Sequence, residues 1–145
     1  MSKTIGIAAD HAGFELKEQL KPFISELGFE FVDFGTDSST SMDYPDVIHP
    51  LCKDLAAGKI NLGIIVCGSG NGVNMTANKY MQVRSALCWL PEIAALARQH
   101  NDANVMALPA RFLNLEQAEN CLRNFLTTSF EGGRHQNRVN KISAC

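Results

Sequence analysis

Two periods of hydrophobicity interleave along the chain. Short apolar runs at 4–9, 29–34, 62–67, 83–88 and 105–108 are bounded by Gly, Pro, Asp or Ser, and predict strands. Between them apolar residues recur every three or four positions. Leu16, Leu20, Phe23, Ile24 and Leu27 form one such stripe, and Ile48, Leu51, Cys52 and Leu55 a second. Ile93, Leu96 and Ala97 with His100 form a third, and Ala118, Leu122, Phe125 and Leu126 a fourth. These stripes predict amphipathic helices. A further helix is expected after the 62–67 run, reaching about Lys79.

The punctuation agrees with this division. Gly28 suits a helix C-terminus, and Pro22 inside the first stripe predicts a kink. Pro50 places the start of the second helix near that residue, and Gly58 closes it. Pro91 opens another helix, while Asn114 with Gln117 predicts a capping box for the last long one. Glu131-Gly132-Gly133 should break that helix and leave a short polar tail carrying Arg134 and Arg138. Strand and helix alternate five times with no linker or repeat. The expected fold is α/β, a Rossmann-like three-layer sandwich with a five-stranded parallel sheet, in a single domain over 1–145.

Chemistry concentrates where the 62–67 strand ends, at Cys67-Gly68-Ser69-Gly70-Asn71-Gly72. A glycine-rich loop between a strand and a helix presents backbone N–H groups to an anion, and positive potential there favours a thiolate. The loop lacks the third glycine of a dinucleotide fingerprint and the Gly-Lys-Ser/Thr of a P-loop. In an open parallel sheet, ligands bind beyond the C-terminal strand ends. Asp10-His11, Cys67 to Ser69 and Arg111 all fall at such ends. Cys67 reads as an inert buried thiol, a nucleophile or a general base; its position argues against the first and leaves the other two open.

Composition narrows the classes. At 145 residues, 46% hydrophobic, 19% charged and net charge −2, the chain is an ordinary globular domain with no electrostatic case for nucleic acid or a membrane. It shows no signal-peptide pattern and no membrane-length apolar run, so a cytoplasmic protein is expected. Five cysteines, an odd number without CxxC spacing, argue against a disulfide framework or zinc cage. The four histidines show no metal-binding spacing either, and His49 and His135 carry no separate signal. Alone, His100 reads as a helix C-terminal histidine and the Arg134/Arg138 pair as a basic tail. Four residues apart, the arginines could instead clamp a phosphate.

Several motifs together resemble the type B ribose-5-phosphate isomerase family, which includes the galactose-6-phosphate isomerase subunits. They are Ala9-Asp10-His11-Ala12-Gly13-Phe14, Asp43-Tyr44-Pro45-Asp46, Cys67 to Gly72, Ala77-Asn78-Lys79, Arg98-Gln99-His100-Asn101-Asp102, and Glu131 to Arg138. The resemblance implies a metal-free, cofactor-free aldose–ketose isomerase acting through a cis-enediolate. Cys67 would be the base, and Ser69 would shuttle protons on substrate oxygens. The backbone of Gly68, Ser69, Gly70, Asn71 and Gly72 would hold the enediolate. His100 with Asp10 would open the sugar ring, and Asn101 would bind the sugar. His11, Arg111, Arg134 and Arg138 would hold the phosphate. It further implies a homodimer or dimer of dimers with a shared active site. Ser69 stands where many members carry threonine, and Pro109 where a glycine is expected. Alternatives are the same chemistry on allose or galactose 6-phosphate, a non-catalytic sugar-phosphate binder, and a thiol hydrolase or transferase.

Overall fold

The computed structural model describes residues 3–145. Five strands, β1 (Thr4–Ala9), β2 (Glu30–Asp33), β3 (Leu62–Cys67), β4 (Ser85–Leu87) and β5 (Val105–Pro109), form one sheet in the order β2-β1-β3-β5-β4. Every pairing is parallel. Six helices connect or flank the strands: α1 (Phe14–Glu26), α2 (Pro45–Ala56), α3 (Asn71–Ala77), α4 (Pro91–Asn101), α5 (Leu115–Thr127) and α6 (Arg134–Ile142). The α/β architecture with a five-stranded parallel sheet is the one the alternating pattern predicts.

Strand side chains alternate between faces, so the sheet feeds two cores. Ile5, Ile7, Ala9, Ile64, Val66, Met106 and Leu108 pack with Leu16, Leu20, Ile24, Ala94, Leu122 and Phe125 of α1, α4 and α5. Ala8, Ile65, Cys67, Val105 and Ala107 pack with Ile48, Leu51, Cys52, Leu55, Val73 and Ala77 of α2 and α3. Burial on both faces explains why the strands read as continuous apolar runs. The Asn114–Gln117 capping box is formed in both directions, at 2.8 and 2.9 Å.

Three expectations change. The second helix begins at Pro45, not near Pro50, which lies inside it. Proline suits the first turn at Pro45, and the helix accommodates the N–H missing at Pro50. Pro22 lies inside α1, which continues through it. The last long helix ends at Thr127, before the Glu131 to Gly133 segment. The short polar tail is itself a helix, α6, anchored through His135 and Val139 on one face. With only those two buried positions, its stripe is too narrow to stand out as a period.

Candidate active site

The chain runs outward from β1 to β2 and returns to β3, so β1 and β3 flank a reversal of strand order. α1 and α3 therefore lie on opposite faces and leave a crevice beyond the strand ends. It is an open recess of about 480 Å³ lined by Asp10, His11, Ala12, Tyr44, Cys67, Gly68, Ser69, Gly72, Arg111 and Phe112.

Cys67 closes β3 with its side chain toward the α2/α3 layer, and is 5% exposed. The other buried thiols are chemically quiet. Burial pushes Cys52 and Cys121 up to about 11 and Cys88 up to about 12. They stay protonated at neutral pH, and none of them lines the recess that holds Cys67. Ser69 Oγ accepts from the Asn71 N–H at 3.3 Å, folding the loop back on itself. Gly70 has φ +75°, a left-handed turn that starts α3. Gly72 lets the Tyr44 ring approach: a Cβ there would sit 2.4 Å from the ring.

Asp10 is 7% exposed and accepts from the Gly13 N–H at 3.0 Å, entering α1. The Met42 N–H donates to His11 Nδ1 at 3.2 Å. That bond puts the ring hydrogen on Nε2, which leaves an N–H donor for an anion. Arg111 lies in a single 3₁₀ turn after β5; its N–H donates to the Gly68 carbonyl at 3.0 Å and its guanidinium lies against Gly68. Asn71 lines an adjoining recess with Ser69, Leu87, Trp89, Leu90 and Phe112.

His100, Asn101, Arg134 and Arg138 do not line the recess that holds Cys67. α4 runs back along the sheet, so its C-terminus reaches the opposite strand edge. The register pairs Gly63 with Val105 and Cys67 with Pro109. Cys67 therefore lies about 13 Å along the strands from the level of Val105, just downstream of His100. At that far end the His100 and His135 rings stack with centroids 4.2 Å apart and planes at 13°. Glu131 Oε1 lies 3.8 Å from His100 Nε2 and 3.5 Å from His135 Nε2. Burial and the adjacent His100 hold the His135 imidazole below its ordinary value. Arg134 and Arg138 stand exposed on α6, one turn apart.

The segment after His100 is braced. Asp102, at φ +46°, accepts from Arg98 at 3.0 Å and Arg84 at 3.3 Å, while Arg98 also donates to the Thr128 carbonyl at 3.3 Å. Asn101 lines a second cavity of about 430 Å³ with Arg84, Ser85, Met81 and Ile142. The sequence did not single out Tyr44 and Phe112 as lining residues, nor His135 and Glu131 as companions of His100. For Tyr44 the only signal was its place in a family motif. Glu131 and His135 likewise stood only in a family motif, and it is the packing of α6 on α4 that brings them to His100.

The Ribose/Galactose Isomerase family profile matches residues 5–142. Ribose-5-phosphate isomerase B of Escherichia coli is 41% identical over 142 residues, spanning 98% of this chain and 95% of that protein. The crystal structure of a ribose 5-phosphate isomerase from Thermotoga maritima superposes with a TM-score of 0.96 at 42% identity, covering 100% of both chains. Ribose-5-phosphate isomerase B from Mycoplasma genitalium, solved with bound ribulose-5-phosphate, superposes at 0.93 with 40% identity, covering 99% of this chain and 96% of that one. With the match running through both the Cys67 recess and the His100 cluster, the chain belongs to the ribose/galactose isomerase family.

Proposed function

We propose that this chain is an aldose–ketose isomerase interconverting ribose 5-phosphate and ribulose 5-phosphate through a cis-enediolate, the isomerase step of the pentose phosphate pathway in the cytoplasm. One observation carries the reading: thiol, hydroxyl, carboxylate, imidazole and guanidinium converge in a recess of about 480 Å³, in a chain that matches ribose-5-phosphate isomerases end to end.

In this reading His11 and Arg111 bind the phosphate from the Cys67 side, and Arg134 and Arg138 bind it from the other. His100, with Asp10, moves the anomeric hydroxyl proton to the ring oxygen and opens the sugar. Cys67 as thiolate then takes the C2 proton. The C2–H electron pair becomes the C1–C2 double bond, and the aldehyde oxygen takes up negative charge. The backbone from Gly68 to Gly72 stabilises that charge, and Ser69 transfers the proton from O2 to O1. The Cys67 thiol returns its proton to C1 as the C2 carbonyl forms. Phosphate binding, remote from the reacting carbons, orients them for the transfer.

The separation of His100, Asn101, Arg134 and Arg138 from Cys67 supports a site shared between two subunits of a homodimer or dimer of dimers. Exposed Met75, Met81, Leu96 and Ile142 offer apolar surface for such contacts. A second reading is a six-carbon sugar phosphate, favoured by the adjoining recess that Ser69 shares with Trp89 and Phe112. Measuring kcat/KM for ribose 5-phosphate, allose 6-phosphate and galactose 6-phosphate, with wild type and Cys67→Ala, tests the proposal. Preference for the pentose, abolished in Cys67→Ala, is expected. Turnover of none of the three, or turnover indifferent to Cys67→Ala, would refute it.

A further inference from the structure

The His100–Glu131–His135 cluster has more donors than the proposed ring opening uses. Each residue offers one ligand atom, and all three atoms lie within 4.8 Å of one another. Neither imidazole-to-carboxylate separation, 3.8 or 3.5 Å, is a hydrogen bond, so the three groups face a common gap without satisfying one another. Donors on a tetrahedral ion with bonds of about 2.0–2.2 Å stand about 3.3–3.6 Å apart. The Glu131–His135 edge already has that length, the Glu131–His100 edge must close slightly, and the two imidazole nitrogens, within 4.8 Å of each other, must draw together as well.

The scaffold holds the backbones of the three residues together. Glu131 lies in the turn ahead of α6 and His135 in its first turn, and the Glu131 N–H donates to the Gln99 carbonyl at 3.0 Å. That bond fixes the carboxylate-bearing backbone beside His100. His135 is 7% exposed, whereas the His100 and Glu131 side chains are 39% and 51% exposed, so a hydrated ion can enter from one side. The stacked rings must fan apart for both Nε2 lone pairs to meet one ion, a rotation about the soft terminal torsion of histidine. Arg134 and Arg138 on the same helix oppose a dication, so binding should be reversible by a chelator.

We propose that His100, Glu131 and His135 form a two-histidine, one-carboxylate site for a borderline divalent ion, Zn²⁺ being the biological representative, and that occupancy blocks isomerisation. Two imidazoles and a carboxylate are the donor set such an ion selects. The inhibitory half rests on the proposed function, since the ion takes the Nε2 lone pair His100 would need for proton transfer.

Co²⁺ titration of the chelator-treated oligomer, followed by visible absorption, tests the site without reference to activity. One Co²⁺ per chain, with ligand-field bands and no thiolate charge-transfer band, is expected. Glu131→Gln and His135→Gln should each weaken binding roughly tenfold or more, and Cys67→Ser should bind as wild type. Glu131→Gln changes an exposed side chain and keeps the test valid if His135→Gln does not fold. A charge-transfer band that vanishes in Cys67→Ser would place the ion on the thiol and overturn the site, as would unchanged binding in Glu131→Gln or no stoichiometric binding. In parallel, Zn²⁺ should inhibit turnover reversibly, and Glu131→Gln should raise the half-inhibitory concentration by the factor seen with Co²⁺. Triad-dependent Co²⁺ binding without Zn²⁺ inhibition would overturn the inhibitory half. Binding in a chain that isomerises no sugar phosphate would uphold the site while the proposed function fails.

Discussion

Cys67 shares burial with Cys52, Cys88 and Cys121, and differs from them in its neighbours. It alone among these ends a strand at the recess. Cys67→Ala should therefore lower kcat by about 10²–10⁴, the range for loss of a general base, with KM for the sugar phosphate little changed. Cys88→Ala should leave kcat intact while shifting the thermal midpoint downward, since it only opens space in the core. Steady-state kinetics and a melting curve on both variants check the contrast. Gly72→Ala makes a different demand. Its methyl would meet the Tyr44 ring at 2.4 Å, so the ring or the start of α3 must move. A fall in kcat/KM of about a hundredfold with the fold retained by circular dichroism is expected, as for a small misplacement of reacting groups. Asp10, His11, Cys67, Ser69 and Arg111 were legible in the sequence because strand termini fix their edge. Tyr44 was not, because it enters the recess from an α2 boundary that local pattern does not aim.

At the scale of elements, the α1–β2 contact is the sharpest departure from an apolar interior. Lys17 is fully buried and bonds Asp33 at 2.7 Å and Glu18 at 2.8 Å, with Lys21 bridging the same two acids. Burial pushes the Asp33 carboxyl up, but hydrogen bonds from Lys17 and Lys21 outweigh it and leave the group below its ordinary value. A depressed carboxylate contributes stability above its unfolded value, and that contribution is lost as pH falls through the lower folded value. Asp33→Asn should accordingly destabilise the protein at neutral pH by about 1–3 kcal/mol, less than a fully buried broken pair because Glu18 remains. Urea denaturation at several pH values should show the gap between variant and wild type closing below about pH 4. The strands and α5 were legible because both of their signals, apolar period and caps, are local. The start of α2 and the existence of α6 were not. Two prolines compete for the first, and α6 buries only His135 and Val139.

Across the whole molecule, the residues assigned to one reaction occupy two ends of one fold. Asp10, His11, Cys67, Ser69 and Arg111 stand beyond the C-terminal strand edge, and His100, Asn101, Arg134 and Arg138 gather where α4 ends and α6 begins. This division is inherent in the topology, since a helix following a strand must return to the opposite edge. Alternating pattern therefore sufficed for the sheet and for half of the site. In the proposed function the other half comes from a second copy, which no single-chain pattern encodes. The proposed shared site requires those halves to meet across subunits. Co-expression of Cys67→Ala and His100→Ala chains under different tags, with tandem purification, isolates hybrids holding one of each. Each parent alone should be nearly inactive. A hybrid dimer contains one site with both residues intact, so it should recover about half the wild-type turnover of ribose 5-phosphate. A hybrid as inactive as its parents would contradict the shared site.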